Sequence, residues 1–243
     1  MTLTSADRMC WDPIGEVVAY LVSLTAGAKT ILDVGPGAQV SLFPRATHAV
    51  DFTPHSFPGV ESAVADFRRD RLPYGDKSFD FVYCRHVVED LDDPLHLCRE
   101  MMRVGRRGYI ETPSPLAEVC RGIDGGNPPW RGYYHHRHFV YSVPGSNRLS
   151  ILAKSPRMEH DPMDDETIVR LLRSNPFLWN TYFLWDEAFE IEFVSDELLR
   201  AFWRMSQGKP FGPSYQDRLN DAVNAGIASA IEAAGKFEAA RAR

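Results

Sequence analysis

With 243 residues, 44% of them hydrophobic and 25% charged, the chain can bury a full core, and its length suits one α/β domain with an accessory region. A formal net charge of −6 with both signs interspersed argues against a nucleic-acid partner, which would need a basic face; Arg68-Arg69 and the basic stretch 103–107 are short and read as solvated surface. No apolar run approaches the ~18 to 20 residues that cross a bilayer, Asp7, Arg8 and Asp12 stand where a signal peptide would be apolar, and Cys10, Cys84, Cys98 and Cys120 form no CxxC pair. The expectation is therefore a cytoplasmic protein without membrane partner, disulfide framework or cysteine-rich zinc site.

Along the chain, apolar residues at Ile14, Val17, Val18, Leu21, Val22 and Leu24 predict a helix within 12–26, stopped by Gly27 and covering a sheet. The run from Thr30 to Val34 is interrupted by Asp33 and followed by Gly35-Pro36-Gly37. This is a strand ending in a sharp turn, where glycine lets backbone N–H groups approach a ligand. A second strand, 47–51, ends on Asp51, placed to accept both hydroxyls of a ribose as the acidic residue does in dinucleotide folds. A plain βα turn that binds nothing has the same local pattern, since a lone Gly-x-Gly is a weak signal. Further strands are expected near 61–64, 79–84 and 106–111, with a helix from Pro94 to about Val104. The face Leu95, Leu97, Cys98, Met101 and Met102 of that helix reads as core. Alternating strands and helices predict a parallel sheet with helices on both faces.

After Pro115 the alternation stops. Residues 139–143 and 149–153, joined by Pro144-Gly145-Ser146-Asn147, read as a hairpin. Beyond it a helix is expected over 164–174, strands over 182–185 and 189–193, and helices near 196–206 and 215–241. The last is alanine-rich and is expected to project from the body or to cover a partner surface.

Four segments carry a family resemblance: Asp33-Val34-Gly35-Pro36-Gly37; Ala65-Asp66-Phe67 followed by Leu72-Pro73-Tyr74; Phe79-Asp80 opening a strand through Cys84; and Arg85-His86-Val87-Val88-Glu89-Asp90-Leu91 with Asp92-Asp93-Pro94 beyond. Together, over about 28–115, they resemble the class I S-adenosylmethionine (SAM) dependent methyltransferases of the type 11-like subgroup. Ala38 or Gln39 stands where that family has a third glycine, and Glu89-Asp90 where it has Glu-His; a NAD fingerprint fits worse because it needs a small residue at Val40. The resemblance implies a Rossmann-like, seven-stranded, mostly parallel sheet with helices on both faces and an antiparallel edge hairpin; residues 155–243 lie outside it and read as a C-terminal α/β extension. The core would span 1–154, with a leading helix region in 1–28, and 155–243 would be an accessory region, as substrate cover or oligomer contact.

The same resemblance implies SAM as cofactor. Gly35 and Gly37 would admit its amino-acid end, with Asp33 receiving the ammonium or fixing the turn. Asp51 would take the ribose and Phe52 would lie along the adenine. Asp66 would accept the adenine amino group, and the Phe67 N–H would meet a ring nitrogen. Arg85 and His86 would sit where the crevice opens toward the sulfonium.

Methyl transfer needs alignment, and only sometimes a base. The candidates are His86 and the cluster Tyr133-Tyr134-His135-His136-Arg137-His138. His136 and His138, two apart, would share one face of a strand. They are open to three readings: base or substrate contact, metal ligands with Glu111, or structural histidines; no metal is assigned. Glu111, in a turn at the crevice mouth, could bind a polar substrate. Asn127-Pro128-Pro129-Trp130 spells the motif of methyltransferases acting on planar amino groups, but Gly122 to Gly126 cannot form the strand that motif must end, so a proline-rich loop is expected. The expected activity is methyl transfer to a small molecule, oxygen ahead of nitrogen, with the loop 130–141 as substrate wall and room for a homodimer. The alternative is a SAM-binding cyclase, isomerase or partner protein that transfers no methyl group.

Overall fold

Mostly apolar strands are covered on both faces, and β1 (Ile31–Val34) and β4 (Phe81–Arg85), apolar but for Asp33 and Arg85, are buried at every residue. The computed structural model describes residues 9–37, 42–124, 130–160, 162–195 and 215–241. In it these two strands lie at the centre of a sheet. Around them stand α1 (Gly15–Leu24), β2 (His48–Asp51), β3 (Glu61–Val64), α2 (Pro94–Val104), β5 (Arg107–Pro113) and a short α3 (Pro115–Glu118). Then follow β6 (His138–Ser142), β7 (Arg148–Ala153), α4 (Asp165–Ser174), β8 (Asn180–Asp186), β9 (Glu190–Val194) and α5 (Tyr215–Arg241).

The main sheet has the order β3-β2-β1-β4-β5-β8. β1 to β5 pair in parallel and β8 runs antiparallel beside β5. Side chains alternate between its faces. Ile31, Phe81, Tyr83 and Tyr109 join a core that includes residues of α1 and α5; Leu32, Val34, Val82, Cys84 and Ile110 join one that includes Leu97, Cys98 and Met101 of α2. The starts of β1 and β4 are pinned by Asp80, whose Oδ2 accepts from the N–H of Lys29 at 2.7 Å and of Thr30 at 3.1 Å. Asp93 caps α2 by accepting from the Leu95 N–H at 3.0 Å, with Pro94 at the first helical position.

The mostly parallel α/β class expected from the sequence is the one observed, but the edge differs. The hairpin β6-β7 does not complete a seven-stranded sheet; it pairs with β9 in a separate three-stranded sheet, and the main sheet has six strands. The edge beside β5 goes to β8 because Gly108 leaves room there. A Cβ at Gly108 would stand 2.6 Å from Cζ2 of Trp185, so the indole occupies the space of the missing side chain. β6 in turn contacts both β8 and α5: Thr181 Oγ1 donates to the Val140 carbonyl at 2.9 Å, and the Ser142 and Ser229 hydroxyls are 2.8 Å apart. Residues beyond 154 thus contribute strands to both sheets, so the boundary expected there falls inside shared structure.

The expectation that the last helix projects from the body is corrected. Leu219, Ala222, Ala230, Ala233, Ala234 and Phe237 of α5 are buried, and the Phe237 ring lies 5.1 Å from that of Tyr20 in α1 and 5.5 Å from that of Tyr182 in β8. Small residues allow this approach: a Cβ on Gly226 would come within 2.9 Å of Pro115 in α3. The helix expected over 196–206 lies outside the described residues. Among the described residues no helix is long and apolar enough to cross a membrane.

Candidate active site at the carboxyl ends of the central strands

The sheet order reverses at β1, with β2 and β3 on one side and β4 and β5 on the other, and the crevice of such a sheet opens outside the carboxyl ends at that point. The turn after β1 is there. Gly35 has φ 71° and donates its N–H to the Val50 carbonyl at 2.8 Å; a Cβ on it would run into Val87, just past β4. Gly37, with φ 67°, donates its N–H to Asp51 Oδ2 at 2.9 Å, while Asp51 Oδ1 accepts from the Thr53 N–H at 3.3 Å. Asp51 therefore ties the glycine turn to the end of β2 and keeps further acceptor capacity. Asp33 lies beneath, 1% exposed, and accepts from the Phe43 N–H at 2.6 Å. Burial pushes its carboxyl up to about 8 against the opposing effect of that hydrogen bond. The contact it makes is a structural one, to the chain returning toward β2.

On the far side of β2 the Phe52 ring is exposed and lies 4.5 Å from the buried Phe67 ring, with the Arg68 guanidinium 5.8 Å over it. Asp66 is held by Arg68, whose Nε and Nη2 donate to its two oxygens at 2.8 and 2.9 Å, and by Arg69 at 3.1 Å. The Arg68 hydrogen bonds bring its carboxyl down to about 2. An adenine amino group at Asp66 would have to share oxygens with these arginines, which a carboxylate with about four acceptor sites permits.

At the end of β4, His86 has φ 54°, a left-handed backbone rare for a non-glycine residue, and donates its N–H to the Glu111 carbonyl at 2.8 Å. Its Nδ1 lies 3.2 Å from Glu89 Oε1 and its Nε2 3.2 Å from the Cys10 carbonyl, both acceptors, so a neutral ring satisfies one of them at a time. Arg85 turns inward: 8% exposed, it donates from Nε to Glu111 Oε1 at 3.0 Å and from Nη2 to the Cys10 carbonyl at 3.1 Å. Glu111 lies within β5 and not in a turn at the crevice mouth. Tyr109 donates to it at 2.5 Å and Asn180 at 2.6 Å, so both oxygens already serve the protein, and it does not meet the histidines as a metal ligand. Cys10 and Asn180 escaped the sequence reading because they reach this network from positions 75 and 69 residues away from Arg85 and Glu111.

The histidine cluster divides. His136 precedes β6, and its Nδ1 lies 2.5 Å from Oε1 of the buried Glu118, whose other oxygen accepts from Lys154 Nζ at 2.6 Å. Glu118 raises the pKa of His136 against the lowering effect of burial. His138, the first residue of β6, packs its ring 5.5 Å from that of Phe193, and burial lowers its pKa to about 4. The two rings thus serve different neighbours, and the shared face expected from their spacing is not found, because only His138 is in a strand. His135 and Asp90 complete the surroundings of His136, with Asp90 Oδ1 3.8 Å from His135 Nε2 and 3.7 Å from His136 Nε2. Tyr133 is buried and accepts from the Cys10 thiol at 3.2 Å. Asn127 to Pro129 lie outside the described residues, and Trp130 is exposed against Tyr134.

A family model described as a methyltransferase domain matches residues 32–110, from β1 through most of β5. Solved structures with similarity include the YcgJ protein of Bacillus subtilis, 21% identical over 40% of this chain and 51% of that one, with a TM-score of 0.31. An S-adenosylmethionine-dependent methyltransferase of Mesorhizobium loti is 17% identical over 57% of this chain and 63% of that one, with a TM-score of 0.34. A chain from the complex between the Trm112 methyltransferase activator and a methyltransferase of Haloferax volcanii is 15% identical over 65% of this chain and 82% of that one, at 0.39. The chain spans about half of the length of YcgJ, and no residue role follows from likeness at this level. No curated protein matches the chain.

Proposed function

We propose that the chain, whose residues 32–110 match a methyltransferase-domain family model, transfers the methyl group of SAM to a small-molecule acceptor, oxygen ahead of nitrogen. The observation that supports this most is the turn Gly35 to Gly37, docked on Asp51 at the reversal of the sheet and touching the β4 loop at Val87. One crevice then receives the amino-acid end of SAM at the turn and its ribose at Asp51. Phe52, Asp66 and the Phe67 N–H receive the adenine, and Asp33 acts from beneath by holding the turn's return segment. Arg85 contributes through its grip on Glu111 and on the N-terminal segment at Cys10, and not by direct contact.

On this reading His86 stands at the sulfonium end, with strained backbone and a ring oriented by Glu89 and the Cys10 carbonyl. It is placed to take a proton from a hydroxyl as the methyl group leaves sulfur. His136 and His138 position the loop that forms the acceptor wall, and residues 155–243 back that wall through β8, β9 and α5. Net charge of −6 favours a small acceptor over nucleic acid. The test is calorimetric titration with SAM and S-adenosylhomocysteine, followed by assay of S-adenosylhomocysteine release with hydroxylated and amino acceptors. Tight binding with release in the presence of a hydroxylated acceptor is expected. Failure of the folded native chain to bind either compound would overturn the reading, and binding without release for any acceptor would favour a SAM-binding protein that transfers no methyl group.

A further inference from the structure

The approach to β6 holds one arrangement that methyl transfer does not require. Asp90 Oδ1 faces two imidazole nitrogens, His136 Nε2 at 3.7 Å and His135 Nε2 at 3.8 Å, and the three atoms lie within 4.8 Å of one another. These separations exceed the roughly 2.7 to 2.9 Å of a charge-assisted N–H to carboxylate hydrogen bond. Asp90 Oδ1 is sealed from solvent and has no hydrogen-bond partner among the described residues, an expensive condition for a carboxylate oxygen.

The orientation of His136 sharpens the problem. Glu118 Oε1, 2.5 Å from Nδ1, accepts the ring N–H there, which in a neutral imidazole leaves the Nε2 lone pair directed toward Asp90. With Nδ1 committed to Glu118, Nε2 is the ring atom turned toward Asp90 Oδ1, and at 3.7 Å no hydrogen bond joins them. A carboxylate that fixes one ring nitrogen so that the other can ligate is the recurring support of metal-bound histidine. His135 adds a second imidazole; its ring centroid is 4.3 Å from that of His136, at 75°, a pairing available because both residues precede the strand instead of alternating within it.

We propose that Asp90 Oδ1, His135 Nε2 and His136 Nε2 bind one divalent transition-metal ion of the zinc class, with Glu118 as the residue that orients His136. Two imidazoles and a carboxylate are a donor set suited to such ions, and three protein ligands leave positions for water or substrate. Bonds of about 2.0 to 2.2 Å place ligand atoms about 3 to 3.5 Å apart, so the three, now within 4.8 Å of one another, must close by up to about 1 to 2 Å. His135 can supply that movement, since its side chain is 63% exposed, and its exposure also gives the ion an entry path. Among the neighbouring acids, Glu118 is already paired with Lys154, while Glu89 carries a second buried oxygen, Oε2, with no hydrogen-bond partner among the described residues.

The test uses the full chain stripped with a chelator and titrated with Co²⁺, then with Zn²⁺, in the absence of SAM, so that its outcome is independent of the methyl-transfer reading. One equivalent of Co²⁺ should bind with visible absorption bands and be displaced by Zn²⁺. His135→Ala, an exposed change that leaves the unfolding midpoint near native, should weaken Co²⁺ binding 100-fold or more, and Glu118→Gln should weaken it by about 10- to 100-fold. No Co²⁺ uptake by the folded native chain at millimolar metal, or equal affinity in the native and His135→Ala proteins, would overturn the proposal.

Discussion

The turn after β1 and the histidine-rich approach to β6 lie on the same molecule but are built on different scales of sequence. In the turn, Gly37 meets Asp51 across 14 residues and Phe43 meets Asp33 across 10, within the segment that joins β1 to β2. In the histidine region, Glu118 meets Lys154 across 36 residues and Cys10 meets Tyr133 across 123. The first is a local device whose glycines and acids show in the sequence. The second is assembled from segments that share nothing until the chain has folded, and side chains two apart, His136 and His138, end up in opposite electrostatic surroundings.

Breaking the turn should have the largest effect. Gly35→Val places a branched side chain on a backbone with φ 71° and drives its Cβ into Val87, so SAM binding should vanish and the melting temperature should fall together. Gly37→Ala is the sharper companion, because its φ is 67° but nothing lies within 4 Å of an added Cβ; it should cost only the ~1 to 2 kcal/mol of left-handed strain. Calorimetry and thermal unfolding on both variants check this. Near-native SAM affinity in Gly35→Val would remove the turn from the cofactor site.

Asp51→Ala comes next. It removes the acceptor expected to hold two ribose hydroxyls and also the anchor of the Gly37 N–H, and SAM binding should weaken by about 1.5 to 3 kcal/mol in a protein that stays folded. Unchanged affinity by calorimetry would take the ribose away from Asp51.

The smallest effect tests the other side of the comparison. His138 has a pKa lowered from 6.5 to about 4, so its neutral form is the one compatible with the fold. The stability this contributes is present above about pH 6.5 and is lost as pH falls from there to about 4, because the unfolded chain binds the proton first. His136 slopes the other way: its raised pKa means that its contribution is present below 6.5 and is lost as pH rises through the folded value. His138→Leu, which keeps an apolar contact with Phe193, should flatten the acid limb by about 1 to 2 kcal/mol in urea midpoints across that window. An acid limb as steep as in the native protein would show that burial of His138 does not set it.

Much of the parallel half was legible in advance. The strands expected at 30–34, 47–51, 61–64, 79–84 and 106–111 form within one to two residues of those limits; β1, β4 and β5 are mostly apolar runs buried on both faces, whereas β3, Glu61–Val64, is largely exposed at the sheet edge. Asp80 at the head of β4 carries a signal as well, being the acid that pins Lys29 and Thr30 at the start of β1. Less could be read where partners are distant. Nothing local told that Arg85 would turn inward to Glu111, or that Asp90 would face His135 and His136.

Although among the described residues no α-helix separates β1 to β4, the sequence by itself determined the apolar strands β1 and β4, the helices α1 and α2, the glycine turn with its two acids, and hence the α/β class and the crevice end of the sheet. Those follow from periodicities of two and 3.6 residues and from backbone freedom at glycine, which act over a few residues. Only the tertiary structure decided that β8 takes the edge, that β6 and β7 leave to pair with β9, and that α5 lies down on α1 and β8. Such choices rest on how volumes fit, Trp185 against the bare backbone of Gly108 and Gly226 against Pro115, and on which buried charges must meet, Glu118 with Lys154 and His136; both are settled only when remote segments compete for the same space.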